Sequence, residues 1–425
     1  MKQLLSDIRE DTHWFCPLPF NHVYSNSDGY WMPCCHADKT VLDDGTKMNT
    51  ENTSIFEWWN SDTLNGIRDE MLGISKESRY CDKFCKQCKL QEKNEGISSR
   101  QKWSNELLKG ELFPNRFHST ILAAADYLEN NKMHFEDYSG RYLDLKLRIF
   151  GNLCNLSCYM CWPHNSTTRI KDIKKLNDNQ KKFWFGKEPP QPISNVNEDK
   201  FTQSLEDIKS IAHLISTLKI TGGEPMIMKN HYRLLDTLIA TGNASEIVLK
   251  YQSNLTKFDK SIDNFIEYSK QFKHVSISVS IDSFGEYDEY IRKNGDAQLV
   301  KQNLLKIKRI PNVSVGIANT VSMLSVLNHS EFNELYKHDY PIDYFVLTQP
   351  DMLNIKNLPN KIKRRLLKET KEPHIKEMLK QPRDEKQFQQ ALKYCLDLDI
   401  LYGRNKGLFT LWPELEMYYD NIQSS

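Results

Sequence analysis

The chain has 425 residues, of which 39% are hydrophobic and 27% are charged, and its formal net charge is +1. This composition is typical of a globular protein long enough for two or three domains. The neutral balance does not indicate nucleic-acid binding, and no apolar run approaches the roughly 18 residues that a membrane span needs. The acidic N-terminal stretch lacks the apolar core of a secretion signal. We therefore expect a cytoplasmic protein with no membrane partner and with reduced thiols.

The cysteines are grouped along the chain. Nine of the ten fall into three groups, which in a reducing compartment indicates metal ligands rather than disulfides. The groups are Cys16 with Cys34 and Cys35; Cys81, Cys85 and Cys88; and Cys154, Cys158 and Cys161. The remaining Cys395 lies in a helical pattern and is predicted to be a core residue.

The N-terminal part of the chain differs in pattern from the rest. Residues 1–100 hold six cysteines, and the turn signal at 26–29, Asn-Ser-Asp-Gly, predicts a hairpin. Residues 101–140 are predicted to be a helical connector. The C-terminal residues 355–425 form charged helical patterns and are predicted to be a helical extension.

Residues 141–354 alternate short strand patterns with helical ones, which predicts βαβ units and a parallel sheet. The predicted strands are Leu145–Phe150, Thr217–Thr221, Glu246–Tyr251, His274–Ile281, Asn312–Thr320 and Tyr344–Thr348. The predicted helices include Lys229–Ala240, Lys257–Gln271, Ala297–Ile310 and Ser330–His338.

The strands also predict a sheet with one polar face. In Val275-Ser-Ile-Ser-Val-Ser-Ile281 the apolar residues alternate with serines, whereas a parallel strand buried on both faces reads as a continuous apolar run. A curved sheet with helices on the outside and a polar lumen explains this alternation. Six strands are too few for a closed, fully packed eight-stranded barrel, so the sequence favours an open barrel.

Three cysteines follow the first predicted strand with the spacing Cys154-x3-Cys158-x2-Cys161. The loop after a parallel strand is where α/β proteins place their chemistry. Three thiolates can hold three irons of a [4Fe–4S] cube and leave the fourth iron for a small molecule. The alternative is a zinc knuckle that takes its fourth ligand from elsewhere, such as His164.

Polar residues also follow the next strands. The second strand ends in Thr221-Gly-Gly-Glu-Pro225, whose glycines allow close approach of a ligand and whose acid accepts hydrogen bonds from an ammonium group. The third ends in Gln252-Ser-Asn254, the fourth in Ser280-Ile-Asp282, and Arg292 follows. Together these residues predict a rim of hydrogen-bonding groups.

Over residues of about 141 to 350 the chain resembles radical S-adenosylmethionine (SAM) enzymes. The resemblance implies a [4Fe–4S] cluster held by Cys154, Cys158 and Cys161, with SAM bound to the open iron. It further implies one-electron cleavage of SAM to methionine and a 5′-deoxyadenosyl radical, which abstracts hydrogen from a substrate. The SAM-binding residues implied are Tyr159 near adenine, Gly222, Gly223 and Glu224 at the amino group, Asn254 and Ser280 near the ribose, and Arg292 at the carboxylate. The chain has Gln-Ser-Asn where many relatives have Thr-Asn-Gly.

Residues of about 14 to 90 resemble a twitch domain, the short relative of the SPASM domain, which carries an auxiliary [4Fe–4S] cluster. In most relatives this module follows the barrel. The predicted hairpin would bring Cys16 and Cys34 together, and the loop after the next helix would bring Cys85 and Cys88. Cys35 and Cys81 are alternative ligands, and a zinc ribbon with the same four cysteines is the alternative site.

The implied fold is a partial (β/α)6 barrel of the radical SAM type, with an N-terminal cysteine-rich twitch-type domain and a helical C-terminal extension. The expected domains are 1–100, 101–140, 141–354 and 355–425. The expected partners are a reductant such as flavodoxin or ferredoxin and a peptide or protein substrate. A small alcohol or sugar is the alternative substrate; an iron–sulfur electron carrier and a zinc-binding protein are alternatives from other classes. No residue is assigned as a catalytic acid or base.

The stretch 164–205 is a long insertion after the three-cysteine loop. Its apolar run at 183–185, Phe-Trp-Phe, flanked by lysines, suggests a lid over the barrel mouth. A mobile surface loop is the alternative interpretation.

Overall fold

The structure is a computed structural model of the whole chain. It describes residues 6, 14–26, 29–37, 45–50, 52–93, 97–109, 114–130, 133, 140–149, 151–185, 197–258 and 260–419. The chain divides into two compact units. The first comprises Met1–Gly151, Asn195–Tyr251 and Glu267–Val275, and the second comprises Asn152–Ser194, Gln252–Ile266 and Ser276–Ser425.

The strands and helices alternate along most of the chain. The strands are β1 (His22–Ser25), β2 (Trp31–Met32), β3 (Leu143–Leu147), β4 (Ser157–Cys158), β5 (Ile215–Ile220), β6 (Val248–Ser253), β7 (His274–Ser280), β8 (Arg292–Lys293), β9 (Val313–Val321) and β10 (Ile342–Val346). The first helices are α1 (Leu18–Asn21), α2 (Ile55–Trp59), α3 (Asp62–Met71), α4 (Arg79–Phe84), α5 (Lys86–Lys93), α6 (Ser99–Lys109), α7 (Pro114–Asn130), α8 (Thr167–Lys174), α9 (Asp178–Phe185) and α10 (Glu198–Ser210). They are followed by α11 (Lys229–Ala240), α12 (Ile262–Ser269), α13 (Gly285–Ile291), α14 (Ala297–Ile307), α15 (His329–Tyr336), α16 (Asn360–Glu369), α17 (Pro373–Lys380), α18 (Glu385–Tyr402) and α19 (Leu408–Leu411).

The six strands predicted for the barrel are all present, with ends within three residues of the prediction. The main sheet nevertheless has eight strands, because two strands from the N-terminal region belong to it. In the first unit the strand order is β2-β1-β3-β5-β6, and β1 runs parallel to β3 with His22 opposite Asp144. The sequence analysis did not predict that the N-terminal strands belong to this sheet.

The predicted N-terminal hairpin is confirmed. Strands β1 and β2 are antiparallel, with Tyr24 opposite Met32. The turn closes through a hydrogen bond from the Gly29 N–H to the Asn26 carbonyl (3.0 Å). Gly29 has a φ of 79°, a left-handed conformation that glycine adopts without steric cost.

The predicted alternation of buried and polar residues is also confirmed. In β3 and β5 the side chains of Leu145, Leu147 and Leu218 are fully buried, whereas Lys146 and Lys219 between them are partly exposed. In β7 the apolar residues are buried and the serines are partly exposed. One face of β3 and of β7 therefore packs in the core, and the other is polar.

In the second unit, β9 and β10 are parallel, with Ile317 opposite Ile342. The C-terminal helices α16 to α19 pack in one apolar cluster that includes Leu366, Phe388 and Cys395. Cys395 is 1% exposed, so its prediction as a core residue is confirmed. Helix α8, from the insertion, also belongs to this core through Ile173, which is not what a mobile loop would show. The side chains of the Phe-Trp-Phe run and of His164 lie outside the described residues.

None of the helices that the structure describes is long and apolar enough to cross a membrane.

A buried carboxylate joins α15 to the start of α17. Glu372 accepts hydrogen bonds of 3.0 Å from His329 Nε2, Lys337 Nζ and Thr370 Oγ1. Burial opposes ionisation of this carboxyl, but the three donors outweigh it and lower its pKa from 4.5 to about 2. The ionised form therefore stabilises the second unit.

We predict that Glu372→Gln lowers the free energy of unfolding by about 2 kcal/mol at neutral pH, because it leaves charged donors without their acceptor. The ionised carboxylate contributes fully above pH 4.5, and its contribution is lost as the pH falls towards 2. Thermal unfolding followed by circular dichroism at several pH values measures this. The exposed Glu377→Gln, on helix α17, is the control. A difference between wild type and variant that grows below pH 4.5 would contradict the prediction.

Candidate active site and auxiliary thiol site

The three-thiol loop lies in the second unit, where its thiols are close enough to affect one another. Cys158 ends the short strand β4, which pairs with β8 so that Cys158 lies opposite Arg292. Burial raises the pKa of the Cys158 thiol, the Arg292 guanidinium lowers it, and Cys161 and Cys154 raise it again. Three neighbouring thiols that disfavour each other's ionisation form a site that a cationic centre would stabilise.

Hydrogen bonds from helix α8 hold the backbone of this loop. The Ser166 hydroxyl, at the helix N-cap, donates to the Leu156 carbonyl (2.7 Å). The Thr168 hydroxyl donates to the Cys154 carbonyl (2.6 Å). The Leu156 N–H points at Cys154 Sγ (3.5 Å). The first turn of α8 therefore fixes the position of Cys154.

The C-terminal extension holds the same loop from another direction. The Tyr394 hydroxyl, on α18, donates to the Tyr159 carbonyl (2.7 Å), and the Tyr402 hydroxyl lies 3.0 Å from Ser157 Oγ. Arg169 on α8 donates to the Tyr402 hydroxyl (3.1 Å) and to the Tyr159 carbonyl (3.3 Å). The last long helix of the chain is thus part of the support for the three-thiol loop, which the sequence did not predict.

The Tyr159 side chain, which was predicted to lie near adenine, is buried in this structure. The side chain is 2% exposed and packs in the apolar cluster with Val321 and Met323. Its hydroxyl lies 2.8 Å from Ser322 Oγ. Tyr159 directly follows Cys158 in the turn that closes with a hydrogen bond from the Cys161 N–H to the Cys158 carbonyl (3.0 Å), and its side chain packs in the core.

Asn254 lies beside the three-thiol loop. Its Nδ2 donates to Asn155 Oδ1 (3.1 Å) and lies 3.9 Å from Cys154 Sγ. Its Oδ1 accepts from the Thr256 N–H (3.0 Å) and hydroxyl (2.6 Å). The amide therefore links the end of β6 to the thiol loop, a positioning contact that the sequence interpretation did not include.

Arg292 takes part in a buried charge network. Its Nη1 donates to Asp282 Oδ2 (2.8 Å), and Asp282 Oδ1 accepts from the Thr320 N–H (2.8 Å). Asp288 in turn accepts from the N–H groups of Asp282 (2.8 Å) and Ser283 (3.0 Å). Burial raises the Asp288 pKa to about 7, with a further contribution from Asp282 against the effect of Arg292. The sequence predicted Arg292 but missed Asp288, which no local motif marks.

The remaining predicted residues at strand ends are Ser280 in the second unit and the Gly222–Glu224 loop in the first unit. Ser280 ends β7 and is partly exposed. In the first unit, Gly222 and Gly223 follow β5 with φ values of 94° and 54°. Glu224 is 1% exposed and accepts a hydrogen bond from the Met226 N–H (3.2 Å). A side chain at position 222 would be strained, because an added Cβ would meet Arg148 at 3.4 Å in a backbone conformation that favours glycine.

The N-terminal thiols surround a single cavity in the first unit. Cys16, Cys34, Cys85 and Cys88 line it together with apolar and aromatic side chains, among them Trp14 and Phe84. These are the four cysteines that the sequence favoured, drawn from the segment before α1, the end of the hairpin and the α4–α5 junction.

Electrostatics within this group agree with its geometry. Burial raises the pKa of Cys34 to about 12; a backbone hydrogen bond from His36 lowers it, and the neighbouring Cys35 and Cys88 raise it further. Burial likewise raises the pKa of Cys16, with Cys34 and Cys88 contributing. The buried thiols are therefore favoured in their uncharged form. Their thiolate forms would be stabilised by a cationic centre bound among them.

The two alternative cysteines lie outside the cavity lining. Cys81 is buried and interacts with Cys85, whose pKa it raises through a hydrogen bond. Cys35 is exposed; burial raises its pKa, but a hydrogen bond with His36 and the charge of Lys146 outweigh this and lower it to about 6.

Among the described residues, no three His, Cys, Asp or Glu side chains converge as the ligands of one metal ion do. The ligands of a single zinc ion all lie about 2.0–2.3 Å from one point. The thiolates of a [4Fe–4S] cube each bind a different iron and stay further apart.

Comparison with known protein families matches two parts of the chain. Residues 149–338 match the radical SAM superfamily, and residues 16–89 match the SPASM family, an iron–sulfur cluster-binding domain. The chain contains a radical SAM domain preceded by a SPASM domain. The radical SAM superfamily consists of enzymes that use a [4Fe–4S] cluster and SAM, and the SPASM domain implies auxiliary iron–sulfur binding. No curated protein matches the chain.

The chain is also similar to several solved structures. Native anSMEcpe with bound AdoMet is 16% identical, with a TM-score of 0.36, over 61% of this chain and 62% of that one. SuiB of Streptococcus suis bound to S-adenosylmethionine is 13% identical, with a TM-score of 0.36, over 82% of this chain and 66% of SuiB. SuiB bound to its precursor peptide SuiA is 12% identical, with a TM-score of 0.33, over 93% of this chain and 72% of SuiB. The chain thus spans about three fifths of the length of anSMEcpe. At these identities and TM-scores, the similarity does not identify a substrate for this chain.

Both thiol groups of the radical SAM and SPASM domains fit the clusters that the families imply. The radical SAM loop offers three neighbouring thiols, and the SPASM cavity is lined by four. A cube needs four corners, so three thiols leave one position for another ligand and four leave none.

We predict that the wild type binds about eight irons, two cubes by the ligand counts. Replacing both Cys85 and Cys88 with Ala should remove about half of this iron, because two thiolates cannot hold the auxiliary cube. Iron and sulfide analysis after anaerobic reconstitution measures the result. Cys35→Ser, which changes a thiol outside the cavity, is the matched control. Half of the iron lost in that control, or none lost in the double variant, would contradict the ligand set.

We also predict that Tyr394→Phe with Tyr402→Phe weakens cluster retention in the radical SAM domain. The pair removes two hydrogen bonds to the thiol loop, each contributing about 1 kcal/mol, so the loop becomes more mobile without losing a ligand. The rate of iron release to a chelator should rise several-fold. Tyr340→Phe, on the surface near α15, is the control. Release at the wild-type rate in the double variant would show that the extension has no part in holding the loop.

Proposed function

We propose that the protein is a radical SAM enzyme that abstracts hydrogen from a peptide or protein substrate, with an auxiliary [4Fe–4S] cluster in its SPASM domain. One observation carries the proposal. The chain has a three-thiol loop at one site and a cavity lined by four thiols at another. An electron carrier would have no use for a site with an incomplete ligand set.

In this proposal Cys154, Cys158 and Cys161 hold the first cluster and SAM occupies the remaining corner. When bound, that cluster supplies the electron that cleaves SAM to methionine and a 5′-deoxyadenosyl radical. The chain's own contribution is to fix the thiols and to keep cations near them. Arg292 lies opposite Cys158 and is held by Asp282, so its charge counters that of the thiolates.

The remaining residues would position SAM. Gly222 and Gly223 allow close approach of the amino group, and the carboxylate of Glu224 would accept its hydrogen bonds. Arg292 has further N–H donors for the SAM carboxylate beyond the one used by Asp282. Asn254 and Ser280 stay assigned to the ribose side, and Asn254 also anchors the loop. Tyr159 has no role at SAM, because it is buried in the core.

Two features support a peptide or protein as the substrate. An auxiliary cluster with four protein thiolates has no open corner, so the substrate must be held by side chains rather than by an iron. The chain also has segments beyond the minimal barrel, such as 101–140, that a small substrate does not require. A flavodoxin or ferredoxin would supply the electron, and the closed auxiliary cluster would accept one from the substrate radical.

We predict that Cys158→Ala abolishes formation of 5′-deoxyadenosine from SAM under dithionite, because two thiolates cannot retain the cube. Glu224→Ala should retain the iron and cleave SAM more slowly. Chromatography of the products and iron analysis distinguish the two effects. Cys395→Ala is the control, because it removes a buried core thiol that belongs to neither cysteine group. Wild-type production of 5′-deoxyadenosine by Cys158→Ala would overturn the proposed function.

A further inference from the structure

Two large apolar side chains are exposed at the ends of the three-thiol loop. Leu153, directly before Cys154, is 42% exposed, and Trp162, directly after Cys161, is 37% exposed. Single exposed apolar residues are common on protein surfaces. These two bracket one loop, and the Cα atoms of consecutive residues are only about 3.8 Å apart. An apolar surface therefore lies directly beside the thiols.

The beginning of α8 fixes both ends of this loop. The Thr167 N–H, in the first turn of the helix, donates to the carbonyl of Asn152 (3.0 Å), the residue before Leu153. The Trp162 carbonyl accepts from the Asn165 N–H (3.0 Å), in the turn that leads into α8. Leu153 and Trp162 are therefore both held next to the N-terminal end of this helix.

Helix α8 continues from this point with two exposed cations, Lys171 and Lys174. In the part of the chain that the structure describes, neither of them forms an ion pair, whereas the next lysine, Lys175, pairs with Asp172 (3.3 Å). With a rise of about 1.5 Å per residue, Lys171 and Lys174 lie about 6 Å and about 10.5 Å along the axis from Thr167. The cations thus adjoin the two apolar side chains.

An apolar patch with cations at its edge has the composition of a docking site for an acidic protein. Protein interfaces have an apolar centre, in which Trp is enriched, and a polar rim. Exposed charges on the rim attract a partner of opposite charge and speed its association.

The position of the patch beside the thiols indicates what the partner does. In the proposed function SAM occupies the corner of the cube that the thiols leave open, so the side of the thiol loop remains for an electron donor. Electron transfer becomes steeply slower with distance, so a carrier protein must dock beside the cluster. Flavodoxins and ferredoxins are small acidic proteins that deliver one electron at a time.

We propose that the surface formed by Leu153, Trp162, Lys171 and Lys174, which we name the α8 surface, docks an acidic one-electron carrier protein of this class. The inference rests on the proposed function and specifies its partner. One electron passes from the reduced carrier, which is oxidised, to the cluster held by the three-thiol loop, which is reduced. No bond forms or breaks in this step.

The test measures binding of an oxidised flavodoxin to the anaerobic holoenzyme by isothermal titration calorimetry. The double variant Lys171→Glu with Lys174→Glu should raise the Kd at least tenfold, because two attractions become repulsions. Trp162→Ser should raise it about tenfold through loss of an apolar contact. Lys171→Arg with Lys174→Arg should bind like wild type. Lys301→Glu and Leu305→Ser, which change exposed residues of α14 in the same unit, are the matched controls.

Salt separates the charged part of the α8 surface from the apolar part. Raising the ionic strength from about 0.01 M to about 0.15 M should weaken binding by the wild type and by Trp162→Ser, because salt screens exposed charges. The same change should have little effect on the Lys171→Glu, Lys174→Glu variant, which has lost the attraction.

Three outcomes of the binding experiment would overturn the inference. One is a charge-reversed variant that binds flavodoxin within twofold of wild type. If that variant also had a lower melting temperature, the lysines would serve only the dipole of α8. Another is a loss of binding in the α14 controls that equals the loss in the α8 variants. A third is displacement of flavodoxin by an equal concentration of a hexaglutamate peptide, which would assign the surface to acidic peptides.

Formation of 5′-deoxyadenosine with two reductants separates docking from chemistry. Dithionite is small and needs no docking site, so the Lys171→Glu, Lys174→Glu variant should keep the wild-type rate and iron content with it. With photoreduced flavodoxin its KM for flavodoxin should rise by the same factor as the Kd. Equal loss with both reductants would mean that the lysines support the cluster, and would overturn the inference. No product from the wild type with dithionite overturns the proposed function, whereas normal product with an unchanged KM overturns the α8 surface alone.

Discussion

The backbone of the three-thiol loop is fixed by hydrogen bonds from distant parts of the chain, and the radical SAM site depends on this constraint. The first turn of α8 holds the Cys154 and Leu156 carbonyls, and α18 reaches the same loop through Tyr394. Thiolates repel one another, so three of them stay together only if the backbone is held in place. Each neutral hydrogen bond contributes about 1 kcal/mol, which is small alone and considerable when several act on one short loop.

The same constraint gives the C-terminal extension a role. Helices α16 to α19 do not contribute a strand, yet their apolar cluster includes Tyr159, the residue directly after Cys158. Burial of the Tyr159 ring in that core orients the preceding thiol. The extension is therefore part of the radical SAM site in its own unit, and not an appended module.

The first unit combines a thiol cavity with a sheet. The N-terminal hairpin continues the sheet through β1 and β3, and the cavity is lined by cysteines on either side of that hairpin. The polar face of the same sheet carries Lys146, Lys219 and Lys250 on neighbouring strands.

Local sequence determined much of this protein. The alternation of apolar residues and serines in β7 fixed a strand with one polar face, because strand side chains alternate in direction. The spacing of Cys154, Cys158 and Cys161 fixed the three-thiol loop, and the turn at 26–29 fixed the hairpin. The hairpin and the α4–α5 junction bring Cys16, Cys34, Cys85 and Cys88 to one cavity, which the spacing along the chain had led us to expect.

Other features were decided only by the tertiary structure, because they depend on residues far apart in the chain. Pairing of β1 with β3 joins segments more than a hundred residues apart, and no local pattern encodes that register. The same is true of the alignment of Lys146, Lys219 and Lys250, since each strand contributes one lysine and only the register places the three side by side. The burial of Tyr159 has a related reason: the family resemblance implied a place near adenine, whereas the apolar helices of the C-terminal extension, far along the chain, provide a core for its ring.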